Sequence, residues 1–258
     1  MDYVQRAGLG WWRFPRLAQV AGIDHFVTDR HSGGNGQEFT LSLSSTPHRE
    51  EVLHNRSRLA EALGVSNDRL HFPSQVHGTN VVQVTANTRP ENLHDTDALI
   101  TNDTGRAIAV MSADCVPLLL FDARHRAVAA VHAGWRGTVA RIVEKTLHQM
   151  QATFGTEGAD VVAAIGPSVS QANYEVGAEV VAAFEQAFEG AAEWLVQLPA
   201  GKARLDLWKA NCWQLTNFGV PLHQIEVANL CSVQNNDRFF SARKGDRGRY
   251  AAGIVLRD

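Results

Sequence analysis

The tightest constraint on the fold lies in the middle of the chain. Four short apolar runs, residues 98–101, 107–111, 116–121 and 127–131, follow one another with only turns between them. Each has the length of a strand and is short for a buried helix. A parallel crossover needs a dozen or more residues, so these runs must pair as hairpins in antiparallel or mixed sheets. Further strand-like runs lie at 39–43, 70–76, 80–84, 161–165, 225–228 and 254–257. Residues 50–63 read as an amphipathic helix, with Val52, Leu59, Ala60 and Leu63 on one side and Gly64 as the stop. Helices are also expected over 138–154, 177–188 and 206–218, with Asp206 as a cap. Strands gathered first and helices later predict an α+β fold rather than a regular βαβ winding. No repeat and no Pro/Gly/Ser linker divides the chain, so residues 1–258 are expected to form one domain. The loop 30–36 is the most glycine-rich connection.

Composition removes several function classes. The net charge of −3 argues against a general nucleic-acid binder. The longest apolar runs, such as 116–121, are too short to span a bilayer. Asp2, Gly8, Gly10 and Arg13 interrupt any secretory signal at the start. The three cysteines form an odd set without a Cys-x-x-Cys pair, which fits a reducing compartment, the cytoplasm by default. Nothing in the sequence calls for a protein partner.

Three segments carry the candidate chemistry: Ser74-Gln-Val-His-Gly78, Met111-Ser-Ala-Asp-Cys-Val-Pro117 and Val131-His-Ala-Gly-Trp-Arg-Gly137. Each sets a metal-ligand residue type at the end of an apolar strand, beside a turn-forming Gly or Pro. His77, Cys115 and His132 would make the three-ligand set of a catalytic zinc, which leaves a fourth position for water or substrate. Their spacing matches no local zinc motif. On pattern alone a buried thiol and two hydrogen-bonded imidazoles explain them as well. The Gly-rich turn before the helix at 138 offers backbone N–H groups and Arg136 to an anion, or is an ordinary strand–turn–helix joint. The run 239–249 holds Arg243, Lys244, Arg247 and Arg249 among glycines, as a solvated loop or as a phosphate site.

Taken together, Gln75-Val-His-Gly78, Asp97-Ala-Leu-Ile-Thr101, Ser112-Ala-Asp-Cys115, His132-Ala-Gly-Trp-Arg-Gly137, Ile165-Gly-Pro-Ser168 and Phe239-Phe-Ser-Ala-Arg243 resemble the signatures of the laccase-domain, or polyphenol oxidase, family. Its members are described as zinc-dependent purine nucleoside phosphorylases. The resemblance runs from about residue 30 to the C-terminus. It implies a layered α/β/β/α fold with mixed sheets between helices, and His77, Cys115 and His132 as the metal ligands. It also implies phosphorolysis of adenosine, inosine, guanosine and methylthioadenosine, with adenosine deamination as a further activity. Two departures stand out: Ser42 replaces the Asn of the family's Leu-Asn-Leu strand, and Ala242-Arg243-Lys244 stands where the family often has two arginines.

A four-copper laccase is excluded by this chain's own residues. Such an enzyme needs about eight histidines, many in His-x-His pairs; this chain has 11 His and no such pair. A single His/Cys/His site still accepts copper(II) in vitro, which binds such ligands more tightly than zinc. In the leading reading, phosphate sits near Arg136, Arg243 and Lys244, and the substrate site includes Gln75 and Glu175. Asp114 and Glu175 are the candidates for moving a proton. Two alternatives remain: a hydrolase with Cys115 as nucleophile and His132 or His77 as its base, and a non-catalytic nucleotide-binding module.

Overall fold

The computed structural model describes residues 1–34 and 36–258. Asn35, in the glycine-rich loop, lies outside the described residues. The strands, in chain order, are β1 (Asp2–Arg6), β2 (Leu9–Arg13), β3 (Ile23–Val27), β4 (Leu70–His71), β5 (Val81–Gln83), β6 (Ala98–Thr101), β7 (Ala107–Ser112), β8 (Val116–Asp122), β9 (Ala127–Ala133), β10 (Val161–Ile165), β11 (Glu175–Val176), β12 (Leu195–Gln197), β13 (Ala203–Leu205), β14 (Ile225–Val227) and β15 (Tyr250–Leu256). The helices are α1 (Pro15–Ala18), α2 (Arg49–Leu63), α3 (Trp135–Val139), α4 (Ile142–Phe154), α5 (Ala178–Ala187) and α6 (Leu207–Asn217).

Two six-stranded mixed sheets form the middle of the molecule. One runs β1-β2-β3-β15-β7-β4 and the other β14-β10-β8-β9-β6-β5; a small third sheet is β11-β13-β12. Of the four central runs only β8 and β9 pair as a hairpin; β6 joins β9 antiparallel, while β7 crosses to the other sheet and pairs with β15, so the hairpins expected across the 102–106 and 113–115 turns do not form. Every residue of β8 and β9 is buried, as expected for strands covered on both faces. Ile108, Val110 and Ile254 of the first sheet pack against Leu99, Leu119, Val128 and Ala164 of the second. The outer face of the first sheet packs on α2 through Phe26, Ala109, Leu59 and Leu63. The outer face of the second packs on α4, α5 and α6 through Leu118, Val131, Leu147, Phe184 and Leu215. The order of layers is therefore helix, sheet, sheet, helices, the α+β arrangement expected.

Helix α2 follows the sequence signals closely. Glu50 and Glu51 lie in its first turn, where the dipole favours negative charge. Gly64 ends it in the left-handed region at φ 66°, its N–H turned to the carbonyls of Ala60 and Glu61. Asp206 caps α6 by accepting the Lys209 N–H at 3.0 Å.

Three further expectations need correction. The run 39–43 is not a strand. Its groups bond singly to scattered partners, Phe39 N–H to the Arg30 carbonyl and Leu41 N–H to that of Arg249, while Phe39 and Leu41 are buried. Of 70–76 only Leu70–His71 is a strand; the rest turns away to carry the first site motif. The helix expected over 138–154 is two helices, α3 and α4. Arg141 breaks it with φ 62°, and its guanidinium donates to the Ala187 carbonyl at 2.9 Å. Gln214 fills the break: its oxygen accepts from Val143 N–H at 3.2 Å and its amide donates to the Thr138 carbonyl at 3.0 Å.

Candidate metal centre

The three motifs converge where the second sheet meets the loop after β4. His132 projects from β9, Cys115 sits in the turn leading into β8, and His77 lies in the 72–80 loop. Their ligand atoms all lie within 4.8 Å of one another. The two imidazole rings meet edge to face, with centroids 4.9 Å apart. A thiolate and two imidazoles are the donor types that zinc takes, and three of them leave one position open.

The structure around these side chains is built to hold them. Asp97, fully buried just before β6, is the anchor. Its Oδ1 receives the His132 Nδ1 at 2.8 Å and the His77 N–H at 3.0 Å. Its Oδ2 accepts the N–H of Gly78 at 2.7 Å and of Val76 at 3.2 Å. The carboxylate thus gathers three successive amides and keeps His77 in a left-handed turn, φ 62°. Because Nδ1 of His132 faces a carboxylate, Nε2 faces the thiol and is the nitrogen that a metal would take in place of its proton. Gly134 completes the cradle. A Cβ there would sit 2.9 Å from Cys115 Sγ and 2.9 Å from His77 Cδ2, so only glycine leaves room for the ligand set.

Electrostatics favour a thiolate. Burial would raise the Cys115 thiol, but the charge and hydrogen bond of His132, and then those of His77, bring it well below its ordinary range. Burial would lower His132, but the charge of Cys115 and the bond to Asp97 raise it. Burial also opposes the charge of Asp97, yet the hydrogen bond and charge of His132 and the Gly78 and Val76 amides hold its carboxyl down. The three groups form one charge-coupled row.

These three side chains line a cavity of about 440 Å³. Gln75 and Asp114 are in its wall, but both are already engaged. Gln75 clasps β7, donating to the Met111 carbonyl and accepting the Met111 N–H, each at 2.8 Å. Asp114, at φ 88°, accepts from Ser232 Oγ at 2.6 Å, Ser241 Oγ at 3.0 Å and Arg243 N–H at 2.8 Å. It ties the basic 239–249 loop to the site. Arg243 also lines the cavity; its guanidinium lies 4.7 Å from the Tyr174 ring and donates to the Glu175 carbonyl at 2.8 Å.

Not every expected residue comes to the cavity. Arg136 is exposed and stacks over Trp135 at 4.3 Å, outside the cavity wall. Lys244 is exposed beside Arg243 and does not line the cavity. The Glu175 carboxylate is on the surface, paired with Lys202 at 2.8 Å. Two further residues adjoin the site without lining the cavity. For Asp97 the one sequence signal is an acid placed directly before the buried strand Ala-Leu-Ile-Thr. Tyr174 is half-buried; burial and then the charge of Cys115 push its phenol up, against Arg243 and Arg136, so it stays a neutral hydrogen-bond donor. A second group of ligand types, Asp122, His125 and Asp160, lies at the β8–β9 turn, where Asp122 Oδ1 accepts the N–H groups of Arg124 and His125 at 2.9 and 3.0 Å.

Comparison with known proteins shows the family and the fold. Residues 24–257 match the family model described as multi-copper polyphenol oxidoreductase laccase. A protein of Bacteroides thetaiotaomicron named purine nucleoside phosphorylase is 42% identical over 256 residues, covering 94% of this chain and 95% of that protein. Adenosine deaminase RL5, from an unknown prokaryotic organism, is 40% identical over 213 residues, 79% of this chain and 81% of that one. The crystal structure of YlmD from Geobacillus stearothermophilus superposes with a TM-score of 0.88 at 30% identity, covering 99% of each chain. From the ordered motifs, the four layers and the His/Cys/His cluster alike, this chain belongs to the laccase-like polyphenol oxidoreductase family, whose similar members include proteins named purine nucleoside phosphorylase.

Proposed function

We propose that this chain is a zinc-dependent purine nucleoside phosphorylase acting on adenosine, inosine, guanosine and methylthioadenosine. In that reaction a phosphate oxygen bonds to C1′ of the ribose as the bond from C1′ to the purine nitrogen breaks, giving free base and ribose 1-phosphate. The observation that carries the reading is the His77, Cys115 and His132 cluster at a cavity whose wall includes Arg243. The names of the relatives point the same way.

His77, Cys115 and His132 would hold the zinc, and a bound zinc supplies a Lewis acid that polarises or orients a reacting group. Asp97 fixes the His132 tautomer and the 76–78 turn. Arg243 and Arg136 place two positive charges near Tyr174, where phosphate would be drawn. Tyr174 donates a hydrogen bond to substrate. With Asp114 committed to three donors and Glu175 to Lys202, the proton that the departing base needs comes from elsewhere. Adenosine deamination, the activity in the name of one relative, fits the same cavity as a second reaction. The reading also takes residues 1–258 as one catalytic domain in the reducing cytoplasm, supported by three free thiols. No helix among the described residues is long and apolar enough to cross a membrane.

Product analysis tests the proposal. Phosphorolysis predicts ribose 1-phosphate and base in equal amounts, and none of either without phosphate. A second reading has its own support: Cys115, His132 and Asp97 line up as nucleophile, base and orienting carboxylate. Amide or ester cleavage by metal-stripped protein would favour it. Nucleoside binding with no turnover by metal-loaded protein would favour a non-catalytic module.

A further inference from the structure

A second cavity, of about 410 Å³, opens beside β4. Its lining carries four arginines, Arg56, Arg69, Arg89 and Arg106, against one carboxylate, Asp68, in a chain whose net charge is −3. We propose that this cavity is a second ligand site, separate from the metal centre, for a small molecule that bears a phosphate group on an apolar body.

Three observations support it. The first is Arg56. Its guanidinium is half-buried, and no carboxylate lies within ion-pair range of it among the described residues. It is held in place by the Leu41 carbonyl, through Nε at 2.9 Å and Nη2 at 2.7 Å, and lies 4.3 Å from the Phe72 ring. A partly desolvated cation without an anion is costly, and an anionic ligand removes that cost. The second is His71. Its side chain is 6% exposed, and Nε2 is buried without a hydrogen-bond partner. Burial and then the Arg106 charge push its imidazole down, so it stays neutral. A neutral imidazole can still donate one N–H to a phosphate oxygen. The third is the remaining charge. Arg106 is largely buried and balanced by Asp103 through Nε at 3.1 Å, while Arg89 and Glu91, at 4.0 Å, form a weak exposed pair. Arg69 lies over the β6–β7 turn, its Nη1 3.1 Å from where a Gly105 Cβ would be. Forked guanidiniums suit phosphate better than any other anion-binding side chain.

Phe72, Leu93 and Pro90 supply the apolar part of the wall, and the volume lies within the range of small-molecule pockets. Inorganic phosphate alone would leave that wall bare. The site does not coincide with the metal cavity, but Met111 connects them. It lines the first cavity, and its thioether lies 3.9 Å from Arg56 Nη2.

The inference does not depend on the reaction proposed above, and its test keeps the two apart. Calorimetric titration would use AMP, inorganic phosphate and adenosine against the intact protein and the R69E/R89E variant. Both substituted residues are exposed and outside the metal centre, so the melting temperature and nucleoside turnover are expected to stay as in the parent. The expected result is AMP binding that weakens at least tenfold in the variant, with adenosine binding unchanged. Equal AMP affinity in both proteins would overturn the site. Inorganic phosphate binding as tightly as AMP, and losing as much in the variant, would overturn the apolar half of the proposal.

Discussion

Asp97→Asn is the substitution whose effect the structure fixes most closely. The carboxylate accepts four hydrogen bonds, two on each oxygen: His132 Nδ1 and His77 N–H on Oδ1, Gly78 and Val76 N–H on Oδ2. Asparagine has the same shape but offers one oxygen and one NH₂. With the oxygen in the first position, the NH₂ faces two backbone amides; in the second, it faces the His77 amide and the His132 ring. In the first placement two part-buried donors, the Gly78 and Val76 amides, lose their acceptor; in the second the His77 amide does. Hydrogen bonds to a charged group contribute about 1.5–3 kcal/mol each, so the loss is about 1.5–6 kcal/mol of stability. The second placement also forces His132 to carry its proton on Nε2, where a metal ligand needs a lone pair. Loss of such a supporting partner typically lowers metal affinity about 10–100-fold. Chemical denaturation and competitive zinc titration measure the two effects. A variant within about 1 kcal/mol of the parent and with unchanged zinc affinity would refute the anchoring role of Asp97.

Other expectations follow from single contacts. Gly134 has φ −74° and ψ 173°, which alanine tolerates, so Gly134→Ala should fold at a cost of about 1–3 kcal/mol from crowding while losing metal; full metal content in the variant would count against the cradle. Burial, then Arg13, pushes His25 down to about 4, and its Nε2 accepts the Phe14 N–H at 2.7 Å. The folded state resists a proton that the unfolded chain takes up near pH 6.5. Stability should therefore be full above that pH and fall by about 3 kcal/mol as pH drops from 6.5 to 4. His25→Gln keeps an acceptor that does not titrate, and parallel stability curves for the two proteins across that window would contradict the assignment. Arg243→Met should raise the KM for phosphate at least tenfold and leave metal content alone; an unchanged KM would move the phosphate site elsewhere.

Where the sequence was explicit, the reason is local. The central strands were legible from their apolar runs and short turns, though not their partners, since β7 crosses to the other sheet; α2 was legible because its apolar face and Gly64 agree. Residues 39–43 alternate like a strand yet find no partner strand, since their carbonyls are taken by Asn55 and Arg56 of α2. The break at Arg141 is invisible in the sequence because the residue that stabilises it, Gln214, lies on another helix. The N-terminal hairpin β1–β2 and the small sheet β11-β13-β12 have no sequence signal: β1 is mostly exposed, and β11, β12 and β13 are only two or three residues long. The candidate ligands were legible only together: no spacing joins His77, Cys115 and His132, and the fold alone brings them within reach. Asp97 and Tyr174 needed the fold as well, because both act through neighbours distant in the chain.

The most direct test is a zinc titration of metal-stripped protein, with phosphate-dependent release of base from inosine followed in the same samples. The account predicts that activity rises in proportion to zinc and stops at one equivalent per chain. Cys115→Ala should neither hold that equivalent nor release base. Full activity in the stripped protein, or in Cys115→Ala, would contradict it.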